Sequence, residues 1–288
     1  MGNMILRILQ GALIGFGAVL PGVSGGVLCV LFGVYKPIMR LLAHPVKELK
    51  NSAKLLIPVL IGFAVGYVGI AKALEVVLET YESQALALFV GMNIGMMPSL
   101  LREAAEKGRN RNSWISLGVV FVLALSLLTA VRVGNMMIVP NFFWNMFCGF
   151  CLALSIIVPG MSSSTLMLPL QMQVPVTETA PEGIMTLYQH ATGAIGNFRM
   201  DVLVPMLIGA ALTVVLLTQL IDWLMDHRYS VMFHGIIGIV IAATIFTVPV
   251  AAFTQSVSGC LIHLAFVCLG AVATLLLDRL NRSVEKPE

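Results

Sequence analysis

Leu20-Pro21-Gly22-Val23-Ser24-Gly25-Gly26 and Val158-Pro159-Gly160-Met161-Ser162-Ser163-Ser164-Thr165 are one device written twice, 138 positions apart. Each breaks an apolar stretch with a proline, a glycine and hydroxyls. Proline ends a helix because it lacks an N–H and clashes with the preceding turn. Glycine reaches backbone conformations closed to other residues and lets a ligand come close. Ser24 stands where a helix N-cap belongs. A helix starting there opens with unpaired N–H groups and the positive end of its dipole, which suits an anion. One copy reads equally well as a bend in a hairpin; two copies call for a shared explanation.

The match extends outward. Gly11 through the first motif aligns with Gly149 through the second. Pro58-Val59-Leu60-Ile61-Gly62 aligns with Pro205-Met206-Leu207-Ile208-Gly209 at an offset of 147, and Gly91 aligns with Gly238 at the same offset. The nine added positions fall in the longer loop between residues 174 and 200.

Hydrophobic residues make up 58% of the 288 positions and charged residues 11%, whereas a soluble domain needs about a quarter charged. The chain's solvent is therefore largely lipid. Apolar segments run over about residues 4–20, 22–39, 55–78, 84–101 and 113–131, and again over 142–158, 160–173, 202–222, 230–249 and 258–277. The last three of each set approach the roughly 20 residues that cross a bilayer. The first two of each set are shorter and are split by Pro-Gly, so each pair reads as a helical hairpin.

If a hairpin returns to its own side, every lysine and arginine except Lys72, Arg132 and Arg199 falls on one face. The positive-inside rule makes that face cytoplasmic, with both termini inside. The expected fold class is an all-α integral membrane protein, a single membrane domain over 1–288. It has two inverted repeats, 1–135 and 136–288, each a re-entrant or spanning hairpin plus three transmembrane helices. An odd number of crossings per copy inserts the second upside down. Secondary transporters use such repeats, with the binding site at their interface.

The five cysteines lie inside apolar runs and read as small fillers. The net charge of +3 is too small to point to nucleic acid. Arg7 before an apolar stretch, without a cleavage site, reads as a retained membrane segment rather than a signal peptide. The run from Glu103 to Arg111 reads as a solvated loop, and no metal or organic cofactor is indicated.

With these motifs the chain resembles the bacterial polyprenyl-phosphate transporter family, long known only as a domain of unknown function. The resemblance spans nearly the whole chain and includes Gly33-Val34-Tyr35 after the first motif. It implies a fold with re-entrant hairpins and a role in returning undecaprenyl phosphate from the outer to the cytoplasmic leaflet of the bacterial inner membrane for cell-wall synthesis. It carries substrate contacts onto Pro21, Gly22, Ser24, Gly25, Gly26, Pro159, Gly160 and Ser162. The chain departs from the pattern at Lys36, where an acidic residue is usual. It departs again at Ser162-Ser163-Ser164 in place of Ser-Gly-Ser, and at Gln171-Met172-Gln173 in place of Gly-x-Tyr.

The expected mechanism keeps the polyprenyl tail in lipid and shields only the phosphate, since an ion at the bilayer centre costs at least about 3 kcal/mol. Ser24, Gly25, Gly26, Ser162, Ser163, Ser164 and Thr165 would hold the head, with a lipid-open groove beside them. Arg132 and Arg199, on the outer side, would attract it. Two other classes fit parts of the pattern. A transporter or channel for a small soluble anion would use the same tips. An intramembrane serine hydrolase would use Gly22-Val23-Ser24-Gly25-Gly26 with His234 or His263, but the nucleophile elbow needs a preceding strand, and a catalytic motif is not normally duplicated. No catalytic residue is therefore assigned.

Overall fold

Lipid offers no hydrogen bonds, so a chain this apolar satisfies its backbone internally, and helices do that segment by segment. The computed structural model describes residues 2–20, 25, 28–29, 32–43, 45–134, 138–158, 161–174 and 183–284. Along it run α1 (Gly2–Val19), α2 (Tyr35–Ala43), α3 (Pro45–Thr80), α4 (Glu82–Glu103), α5 (Arg111–Val133), α6 (Phe142–Ile157) and α7 (Ser163–Met167). After a two-stranded ribbon come α8 (Leu187–Gly196), α9 (Met200–His227), α10 (Tyr229–Thr247), α11 (Val250–Thr254) and α12 (Val257–Val284). Six of them, α3 from Ser52 onward, α4, α5, α9, α10 and α12, are long and apolar enough to cross a membrane. They are the six segments that hydropathy marked as full spans. Helix α3 begins before its apolar part and is kinked at Ser52 (φ −116°, ψ 17°).

The helices pair through glycines. A Cβ on Gly11 of α1 would overlap the Val59 carbonyl of α3, and one on Gly62 of α3 would overlap the Ile8 carbonyl of α1. In the second half, Gly149 of α6 meets the Met206 carbonyl of α9, and Gly209 of α9 meets the Met146 carbonyl of α6. Each second contact is the first shifted by the sequence offsets, partner by partner. Without strong hydrophobic drive between helices in lipid, such close backbone approach supplies the packing.

The remaining pairs cross between the halves. Helix α4 packs on α12, with Gly91 against Val267, while α10 packs on α5, with Gly238 against Leu117. Burial follows the same correspondence: 28% of the apolar window for both α3 and α9, 56% and 61% for α4 and α10, none and 17% for α5 and α12. The inner pair α4 and α10 is thus wrapped by helices that face lipid.

Two stretches differ from expectation. The arm expected over 160–173 holds only the five-residue α7, then a turn at Leu168-Pro169, then strand β1 (Gln171–Val174). Pro169 cannot continue the helix, and the chain beyond it pairs antiparallel with β2 (Gly183–Thr186), Gln171 opposite Thr186. The fold is that of an all-α membrane protein, to which the chain adds one small ribbon. The loop expected between 174 and 200 contains α8, which opens with a capping box between Thr186 and Gln189.

Candidate functional site

A helix leaves its last four carbonyls without intrahelical partners. In α1, three consecutive carbonyls at that end are taken by hydroxyls from the second half of the chain. Ser163 Oγ donates to Ala18 O at 3.3 Å, Tyr188 Oη to Val19 O at 2.6 Å, and Ser162 Oγ to Leu20 O at 3.4 Å. Leu20 immediately precedes Pro21, so the second motif lies against the threshold of the first. Gly25 is buried behind it, where a Cβ would sit 3.0 Å from the Ala18 side chain.

The arrangement is reciprocal. Tyr35 Oη donates to Ile157 O at 3.3 Å, and Ile157 is Val19 shifted by 138 positions. Each half thus sends a tyrosine to the carbonyl that ends the other half's pre-motif helix. Tyr188 fills the place of the Gly-x-Tyr that the sequence lacks after its second motif. It comes from α8 instead, is fully buried, and stands edge-on to Phe89 with ring centroids 6.5 Å apart. Sequence reading passed over it; the signal that finds it is Thr186-x-x-Gln189, which starts a helix in the supposed loop.

Ser162, Ser163, Ser164 and Thr165 are all buried. Ser162 occupies the N-cap position of α7 but does not cap it; its hydroxyl turns to Leu20 and to Ser164 Oγ, 2.6 Å away. Five residues are too few for a useful macrodipole, so the expected pair of helix ends reduces on this side to a cluster of hydroxyls. Thr165 Oγ1 has no hydrogen-bond partner among the described residues. Helix α4 carries another such atom, Asn93 Oδ1, on a residue 1% exposed. Pro21, Gly22, Ser24, Gly26, Pro159 and Gly160 lie outside the described residues.

Helix α8 is fixed from two directions. His190 Nε2 lies 3.0 Å from Asn145 Oδ1 of α6. Burial first, and then the Arg199 guanidinium, hold the His190 imidazole below its usual pKa, with Asp201 opposing. At the end of α8, Asn197 bonds both Lys72 and Glu75 of α3.

Two cavities adjoin this seam. An apolar cleft of about 470 Å³ runs between the α1–α3 and α6–α9 pairs. Ala18, Phe63, Ser155, Leu203, Met206 and Leu207 line it, and Leu207 is 68% exposed, so the cleft opens toward lipid. It shares Ala18 with the hydroxyl cluster. A wider vestibule of about 600 Å³ is lined by Glu82, Ser83, Arg132, Gln171 and Thr186, with Leu168 and Pro169 following directly on α7. The Arg132 guanidinium sits 5.6 Å from the Phe246 ring centroid. Arg199 is not part of it and pairs with Asp201 at 2.8 Å. Of the two expected entry cations, one thus faces a cavity. His234 bonds the Ser230 carbonyl, and His263 bonds the Gly259 carbonyl and Ser83. Among the described residues, neither is hydrogen-bonded to the serines of the second motif.

A family model described as VCA0040-like, undecaprenyl phosphate translocase-like, matches residues 14–260, and the chain belongs to this family. It is 21% identical over 253 residues to the polyprenyl-phosphate transporter of Vibrio cholerae serotype O1, covering 83% of this chain and 76% of that one. It is 20% identical over 293 residues to the polyprenyl-phosphate transporter of Staphylococcus aureus, covering 97% and 98%. No solved structure matches significantly.

Proposed function

We propose that this member of the undecaprenyl phosphate translocase-like family carries undecaprenyl phosphate, or a similar polyprenyl phosphate, from the outer to the cytoplasmic leaflet of the bacterial inner membrane. The returned carrier then serves another round of cell-wall synthesis. The observation that carries this reading is the buried seam at which Ser162 and Ser163 meet the end of α1. Among the described residues it holds hydroxyl capacity without a partner, since nothing there bonds the Thr165 hydroxyl.

A phosphate suits such a place. Buried hydroxyls without partners are costly, and bonds to a charged oxygen are about twice as strong as neutral ones. The head rests on Ser162, Ser163, Ser164 and Thr165 together with Ser24, Gly25 and Gly26 and the Pro-Gly bends at 21–22 and 159–160. The tail lies in the apolar cleft, which shares Ala18 with the cluster and opens to lipid. Arg132 draws the head into the vestibule, and Arg199 contributes charge beside it. No covalent chemistry is required, so the protein acts as a carrier rather than an enzyme.

The repeated glycine contacts and reciprocal tyrosines support an arrangement of two inverted repeats, 1–135 and 136–288, each opening with a re-entrant hairpin. Rocking of these hairpins against α3, α4, α9 and α10 would expose the head to one leaflet and then the other. The distribution of lysine and arginine supports cytoplasmic termini. Proteoliposomes loaded with labelled undecaprenyl phosphate test the assignment. Ser24→Ala and Ser162→Ala are each expected to slow transport about 10-fold or more, the value of a bond to a charged group. Equal rates in the wild type and both variants would remove the site.

A further inference from the structure

A second polar cavity lies at the opposite end of the long helices from the vestibule, where the loop between α4 and α5 meets the turn between α9 and α10. Its volume is about 340 Å³, and its lining includes Lys107, Arg109 and Arg228 against a single carboxylate, Asp226. Among the described residues none of the three cations pairs with a carboxylate. Lys107 Nζ donates to the Met225 carbonyl at 3.0 Å and lies 4.8 Å from the Tyr229 ring centroid. Arg109 donates to the Leu101 carbonyl at 2.7 Å and lies 5.8 Å from the Trp114 ring centroid. Glu106, in the same loop, accepts the Tyr229 hydroxyl. Helix α10 begins here without a side-chain cap, and Ser230 and Val231 of its first turn line the cavity. Gly108, at φ +84°, turns the loop that presents Lys107 and Arg109.

Two tryptophans set the depth of the cavity. Trp114 carries Arg109 and is 51% exposed; Trp223 stacks on His227 and is 50% exposed. Half-exposed tryptophans mark the level of lipid headgroups. The residues lie on the face that holds most of the lysine and arginine.

We infer that this cavity binds the phosphate of an anionic lipid headgroup in the leaflet on the basic face. Basic pockets between membrane helices on that side take such headgroups. Three cations, two of them held by backbone carbonyls and aromatic rings, supply the charge, and an uncapped helix start and flanking tryptophans supply the N–H donors and the position. The site is separate from the seam at the motifs, and its test does not depend on transport.

The test uses the whole protein in nanodiscs of phosphatidylcholine with or without phosphatidylglycerol, with retained lipid measured by native mass spectrometry. Wild type is expected to retain phosphatidylglycerol selectively. R228Q should weaken that retention severalfold, and K107Q/R228Q by about 10-fold or more. K72Q, at the other end, should leave it unchanged. Loss of retention in K72Q to the same degree, or full retention in K107Q/R228Q, would overturn the site. Binding of inorganic phosphate in neutral lipid, with displacement of phosphatidylglycerol, would overturn the lipid assignment.

Discussion

Thr165→Val separates a binding hydroxyl from a packing fault. Thr165 is 1% exposed and its hydroxyl has no partner among the described residues. An orphaned buried hydroxyl costs about 1–3 kcal/mol. Valine keeps nearly the same outline without the polar atom. The variant is therefore expected to be more stable, by about 1 kcal/mol, or roughly 2–4 °C in the thermal midpoint of a chain this size. If the hydroxyl waits for phosphate, the variant also loses a charge-assisted bond of about 1.5–3 kcal/mol, and transport falls about 10- to 150-fold. Stability and activity must move in opposite directions. The measurements are a thermal melt in nanodiscs and uptake of labelled undecaprenyl phosphate by proteoliposomes. Undiminished transport by a stabilised Thr165→Val protein would refute the role assigned to this side chain.

Three further outcomes follow from the geometry. Gly11→Val and Gly149→Val each drive a side chain into a backbone carbonyl of the partner helix. Both should destabilise the fold by a matching amount in a thermal melt, about 1–3 kcal/mol or more, and a large inequality would count against equivalent contacts. Tyr188→Phe and Tyr35→Phe each strip a hydroxyl from the carbonyl at the end of a pre-motif helix. Each should cost about 1–2 kcal/mol in a melt, with the better-buried Tyr188 the costlier. Burial depresses His190 below its usual 6.5. The folded protein therefore binds fewer protons than the unfolded chain just below that pH, and stability falls as acid enters this window. His190→Gln should flatten the loss between neutral and mildly acidic buffer; an unchanged slope would remove His190 as its source.

What the sequence disclosed depended on the range of the physics involved. Hydropathy is a local sum, so the expected segment at 84–101 lies within Glu82–Glu103 and that at 113–131 within Arg111–Val133. The duplication matched Gly11 with Gly149 and Gly62 with Gly209, and the structure gives each matched pair equivalent contacts. Partner choice was not legible. Gly91 has the same small surface whether it meets α5 or α12, and only coordinates show that it meets α12. The ribbon after Pro169 was missed because the apolar run was read through a residue that forbids a continuing helix. Tyr188 was missed because its segment was read as a loop for want of apolar length, although Thr186 and Gln189 announced a helix start. At the site, the hydroxyls of Ser162 and Ser163 were legible as a motif, but their recipients, two carbonyls 142 and 145 positions earlier, were not.

The crossed pairing has a consequence for biogenesis. Among the described residues, the glycine contacts of α4 fall on α12, and α5 takes the glycines of α10. As the chain leaves the ribosome, these early helices must reside in the bilayer with their notched faces against lipid until the C-terminal segments are threaded in beside them. Assembly of these pairs thus waits for α10 and α12. A prematurely terminated product would present unfilled seams to the membrane's proteases rather than a smaller working carrier.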